Sequence, residues 1–131
     1  MSGTDSEPVP ASDVDGALAQ GVRLFDAGRY HDAHEAFESC WLANEGGDAD
    51  FFKGLVQASI CLHHLTRENL EGARKLYAGH RRLLGRFLPE HRGIDVAGLL
   101  AEMQRVLHPV LTGEPTGNLA PPPRIVRTAN D

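Results

Sequence analysis

The run Gly28-Arg29-Tyr30-His31-Asp32-Ala33-His34-Glu35-Ala36-Phe37-Glu38-Ser39-Cys40-Trp41 constrains this chain more than any other stretch. It reads as a turn followed by a helix. An α-helix advances about 100° per residue, so side chains three, four and seven apart share a face. Ala33, Phe37 and Cys40 have that spacing and form an apolar stripe. His31, His34, Glu38 and Trp41 form a polar stripe beside it. A helix with both stripes belongs at the margin of a helical core.

The same periodicity recurs along the chain. Val14, Leu18, Val22 and Phe25 mark a first helix, which Ser12 or Asp13 can cap and Gly28 can stop. The second helix is expected over 30–44, the third over 49–66 and the fourth over 69–87. The third is apolar on most sides and should be the most buried. Residues 88–93 read as a connector, because Pro89 blocks continuation of the fourth helix. A fifth helix is expected over 95–108, stopping before Pro109. No stretch alternates with period two, so no sheet is expected.

Gly28, Tyr30, Ala33 and Phe37 follow the pattern of a tetratricopeptide-repeat junction, echoed weakly where Arg67-Glu68-Asn69 precedes Ala73. Two such hairpins are too few for a solenoid. The expected fold class is all-α: a compact bundle of about five helices, built from two antiparallel, TPR-like hairpins plus a C-terminal helix. The expected domain is 13–110. It is flanked by a flexible N-terminal tail, 1–12, and an extended proline-rich tail, 111–131, which Leu119, Ile125 and Val126 could pin across the helices.

Charge and composition narrow the function classes. The 131 residues carry a net charge of -5, which opposes non-specific binding to phosphate backbones, so no nucleic-acid partner is expected. Arg74, Lys75, Arg81, Arg82 and Arg86 cluster locally and read as a solvated helix face. No apolar run approaches the ~18 residues of a membrane span, and the N-terminus lacks a basic-then-apolar leader. A cytoplasmic chain without membrane association is the expectation. Cys40 and Cys61 sit among apolar helical neighbours and read as free core thiols. His80, His91 and His108 have no partner at suggestive spacing and are expected on the surface.

The chemistry-bearing residues lie on the second and third helices. His34 and Glu38 are one turn apart, with His31 a turn earlier, and side chains on successive turns can converge on one metal ion. On the third helix Gln57 and His64 share a face, with Lys53 a turn before Gln57, while His63 points about 100° away. If the two helices are antiparallel neighbours, His34 and Glu38 face Gln57 and His64. His34, Glu38 and His64 are then the candidate acid/base groups and the candidate ligands of a divalent metal ion. His31, Trp41, Lys53, Gln57 and His63 are candidate ligand-binding residues, with Gln57 placed to orient substrate or water.

Two functional classes follow from that arrangement. One is a small-ligand or metal-dependent site, with hydrolysis among its chemistries. The other is a helical protein–protein interaction module, in which His34 and Glu38 form a hydrogen-bonded pair that only fixes packing. The partner is accordingly a small molecule or a protein, and oligomerisation is left open.

The segment His34-Glu35-x-x-Glu38-x-x-Trp41, with the preceding Gly28 to Ala33, resembles the DUF309 family of small all-helical proteins. The resemblance continues through Phe52-Lys53-Gly54-Leu55-Val56-Gln57-Ala58, His63-His64 and Asn69-x-x-x-Ala73, covering roughly residues 17 to 87. It implies a helical bundle and places His34, Glu38, Trp41, Gln57, His63 and His64 on the family's motif positions. It implies no established activity.

Overall fold

The computed structural model describes residues 13–44, 46–115 and 121–128. Five α-helices follow one another: α1 Val14–Asp26, α2 Tyr30–Ala43, α3 Ala49–Thr66, α4 Leu70–Leu84 and α5 Val96–Thr112. Each packs on the next, with α3 in contact with both α2 and α4. The all-α bundle read from the sequence is what the chain forms. The expected N-terminal tail, Ser12 as a cap and Leu119 all lie outside the described residues.

Local chemistry sets the helix ends. Gly28 adopts φ +81°, a left-handed conformation open to glycine at little cost, and so turns α1 into α2. Asn69 caps α4, its side-chain oxygen accepting from the Gly72 N–H at 3.1 Å, and Asp95 caps α5 by accepting from Gly98 at 2.8 Å. The apolar stripe of α2 is fully buried: Ala33, Phe37 and Cys40 are all at 0% exposure. Phe37 lies in the space that a Cβ on Gly21 would occupy, so α1 and α2 approach closely. On the other side of α3, Leu84 fills the space above Gly54.

Several expectations from the sequence are overturned. Pro109 does not end α5, which runs on to Thr112 and stops at left-handed Gly113, φ +79°. Val106, Leu107 and Val110 are buried there, and their burial outweighs the one backbone bond that proline cannot donate. A sheet also forms, although none was expected. Strand β1, Glu90–His91, pairs antiparallel with β2, Ile94–Asp95. Arg92 and Gly93 between them both have positive φ, 50° and 77°, as a tight two-residue hairpin turn requires. Strands of two residues are too short to show alternation in a sequence.

The histidine and arginine expectations also change. His80 is fully buried. His91 is partly buried against Phe51 and Phe87, with ring centres 4.8 and 4.7 Å away. Arg81 is not simply solvated; it donates to the Leu100 carbonyl at 3.0 Å and lies over the Tyr77 ring. His108 and Arg82 are exposed, as expected. None of the helices among the described residues is long and apolar enough to cross a membrane.

Candidate functional site

The polar stripe of α2 meets α3 through His63. The His31 and His34 rings lie 5.0 Å apart, centre to centre, and the His31 and His63 rings 5.4 Å apart. Three imidazoles from two helices therefore share one face. It is open to water at His31, whose side chain is 58% exposed, and closes at His34, at 18%.

The ring of His34 is oriented by its own helix. Its Nδ1–H donates to the His31 carbonyl at 2.8 Å. With the proton committed there, a neutral ring carries its free lone pair on Nε2, the nitrogen turned towards Glu38. The Glu38 carboxylate stands 4.0 Å from that nitrogen. Glu35 lies 3.9 Å from Nδ1 of His31 in the same register. Burial, with neighbouring His31 and Arg67 adding positive charge, holds His63 below the ordinary histidine value. It is therefore neutral near pH 7 and offers a lone pair.

Trp41 continues the stripe at the far end of α2. It packs against the core, and Lys53 Nζ sits 5.9 Å from the centre of its ring, a cation–π placement. These two side chains from facing helices meet.

Gln57 and His64 do not join His34 and Glu38. Both turn to the other flank of α3, towards α4. Gln57 Oε1 is buried without a hydrogen-bond partner among the described residues and occupies the space above Gly79. His64 stands above Gly72, with Nδ1 3.3 Å from the Asn69 amide nitrogen. The expected convergence of His34, Glu38, Gln57 and His64 is replaced by one of His31, His34 and His63. The one-residue step from His64 to His63 is about 100° of helix, enough to move a side chain from one neighbour to the other. Gly72 and Gly79, seven apart on α4, are the sequence signal that would have assigned Gln57 and His64 to that side.

A second group of potential ligands lies one turn along. His31, Asp32 and Glu35 have ligand atoms all within 4.8 Å of one another. Asp32 is already neutralised by Arg29 at 2.5 Å, and all three side chains project from a single helix. The two thiols offer no nucleophile. Burial pushes Cys40 up to about 11 and Cys61 up to about 12, and each donates to a backbone carbonyl, of Val14 and Ala73 respectively.

Sequence reasoning also missed a network at the other end of α3, where Asp48 precedes its first turn. His91 Nε2 lies 2.9 Å from Asp48 Oδ1. Arg92 bridges Asp48 and Asp15, at 2.9 Å to each. These contacts hold the Asp48 carboxyl below its usual value against the opposing effect of burial. Residues 44 positions apart along the chain have no shared period, so no sequence pattern announces them.

The fold and this face define a small all-α protein of paired helical hairpins with a histidine-bearing second helix. The model of DUF309, a domain of unknown function, matches residues 18–76, and over that stretch the chain is similar to the family. YpuF of Bacillus subtilis (strain 168), described as an uncharacterized protein, is 32% identical over 89 residues. The match covers 63% of this chain and 49% of YpuF, so the chain spans about half the length of that relative.

Proposed function

We propose that the α2–α3 face is a metal centre in which His31, His34 and His63 bind one divalent transition-metal ion. The observation that carries this reading is the spacing of the three rings, at 5.0 and 5.4 Å between centres. Two imidazoles bound to one tetrahedral ion through nitrogens ~2.0–2.1 Å away have ring centres roughly 5 Å apart. The bond from His34 Nδ1 to the His31 carbonyl supports it, because metal-ligating histidines commonly donate their other ring N–H in this way. Imidazole ligands suit zinc, copper or nickel more than magnesium or calcium. Among the described residues the ligand atoms already within 4.8 Å of one another are those of His31, Asp32 and Glu35, so the three-histidine centre requires His31 and His63 to turn towards His34 Nε2.

Such a centre leaves a coordination position open to water, and metal-assisted hydrolysis is the reaction class that fits it. Glu38, 4.0 Å from His34 Nε2, is the carboxylate placed to take a proton. Lys53 and Trp41, at the other end of the face, supply binding area for a small ligand. His64 lies outside this set.

The test is zinc binding by untagged protein, read by elemental analysis and calorimetry. About one zinc per chain is expected, lost in His34→Ala and His63→Ala with the helical spectrum intact and kept in His64→Ala. Full zinc binding by His63→Ala would overturn the reading. Parent and variants alike metal-free, with the variants melting far lower, would instead favour the structural pairing of the interaction-module class.

A further inference from the structure

The packed C-terminal segment forms one wall of a cleft against α1. Its backbone is fixed at the edge of β2. The Asp95 N–H donates to the Val126 carbonyl at 2.9 Å, and the Thr128 N–H to the Gly93 carbonyl at 2.8 Å. Ile94 and Arg127 form an antiparallel bridge. Between this wall and α1 a space of about 460 Å³ stays open, within the ~300–1,000 Å³ of small-molecule sites. Its floor is apolar. Val22 and Ile125, at 4% and 2% exposure, lie there with Ala19 beside them, and half-exposed Val126 stands at the rim. Arg23 lines the cleft from α1, and Arg124 and Arg127 line it from the wall. A second space, lined by Asp15, Arg92 and Gly93, shares Arg127 with the first. Asp15, Ala19, Val22 and Asp26 fall on one face of α1, so both spaces open along the same side of that helix.

The charges around these spaces are unequally committed. Arg23, Arg92, Arg124 and Arg127 meet only Asp15 and Asp26, in a chain whose net charge is -5. Both aspartates are engaged. Asp15 holds one branch of Arg92 at 2.9 Å, and Asp48 holds the other at 2.9 Å. Asp26 accepts the Ile125 N–H at 2.8 Å and stands 3.7 Å from Arg124. Arg23 and Arg127 are left with no carboxylate partner among the described residues. A guanidinium is a planar fork of donors that matches the paired oxygens of a carboxylate or phosphate. Two such forks beside an apolar floor suit a molecule with an anionic head and an apolar body.

We propose that the cleft between α1 and residues 124–127 binds a small amphipathic anion. Arg23 and Arg127 hold its carboxylate or phosphate, and its apolar body rests on Ala19, Val22 and Ile125. The floor separates this ligand from an inorganic ion, which would gain nothing by touching it. The residues involved are distinct from those of the α2–α3 face.

The test uses the full chain and anilinonaphthalene sulfonate, a dye with a planar apolar body and one anionic group, read by its fluorescence. One saturable site per chain is expected. Arg23→Ala and Arg127→Ala should each weaken it about fivefold or more, with the helical spectrum intact. Arg74→Ala, which removes an exposed arginine on α4, should leave it unchanged. Ala19→Trp keeps every charge but fills the floor, and should weaken the dye as much as either arginine variant. Naphthoate and naphthyl phosphate should displace the dye, and the stronger competitor assigns the head group. Naphthol and inorganic phosphate should not displace it. No saturable binding, or equal affinity in the parent and both arginine variants, overturns the proposal. So does an equal loss in Arg74→Ala, or full binding by a folded Ala19→Trp chain. Displacement by naphthol or by inorganic phosphate as readily as by naphthyl phosphate overturns the ligand class.

Discussion

Helix α3 presents polar side chains to both of its neighbours, and the two flanks treat them oppositely. Towards α2, His63 joins His31 and His34 on a face that water reaches. Towards α4, the glycines at 54, 72 and 79 bring the helices close, and Gln57 Oε1 is sealed in without a partner among the described residues, as are both ring nitrogens of His80 on α4 itself. Buried polar atoms left unpaired cost roughly 1–3 kcal/mol each. The α4 side therefore carries its polar groups as a cost to stability, while the α2 flank leaves His31 in reach of water.

The largest expected effect is on the sealed flank. Burial pushes His80 down to about 4, and the nearby Leu76 and Tyr77 carbonyls oppose this only in part. The unfolded chain takes up the proton near the ordinary value of about 6.5. Between those two values the unfolded state binds more protons, so stability falls as pH drops from about 6.5 to about 4 and levels off below. The loss assigned to His80 is about 3 kcal/mol. Urea unfolding across that range should show it, and His80→Leu should remove that part of the slope. A His80→Leu chain with an unchanged pH profile would break the contrast between the flanks.

Next in size is the close approach itself. A Cβ on residue 54 would stand 2.7 Å from two Leu84 carbons, so Gly54→Ala should cost about 1–3 kcal/mol by overpacking. A change within 0.5 kcal/mol would mean that α3 and α4 have room to part.

On the open flank the same measurements should barely move. His63→Ala is expected to shift unfolding free energy by under about 1 kcal/mol, yet to abolish zinc binding. The smallest effect belongs to the His34–Glu38 pair at 4.0 Å: Glu38→Gln should cost within about 0.5 kcal/mol. A loss of several kcal/mol in either variant would show the open flank to be structural as well.

The parts of the molecule built from nearby residues were legible in the sequence. Gly28 and Asn69 mark their junctions by their own chemistry, and the spacing of Ala33, Phe37 and Cys40 assigns the buried face of α2. What was not legible depends on which neighbour a helix meets. Periodicity places Gln57 and His64 together and His63 apart, but it does not say which side α2 occupies. His80 sits on α4 among arginines, and only the packing of α4 against its neighbours buries it. The hairpin at 90–95 and the bond from Asp26 to Ile125 join residues too far apart, or strands too short, to leave a periodic trace.

The guanidinium of Arg92 reaches back across 77 positions to Asp15 and across 44 to Asp48. The start of α1 and the start of α3 are thus fastened by a residue beyond the stretch that matches the family model, which closes at 76, midway through α4. A fragment trimmed to residues 18–76 would lose Asp15 and Arg92 together, leave the Asp48 carboxylate without its partners, and uncover Phe51 where Phe87 and His91 now shield it. The stretch that matches the family model and the unit that packs together accordingly have different edges.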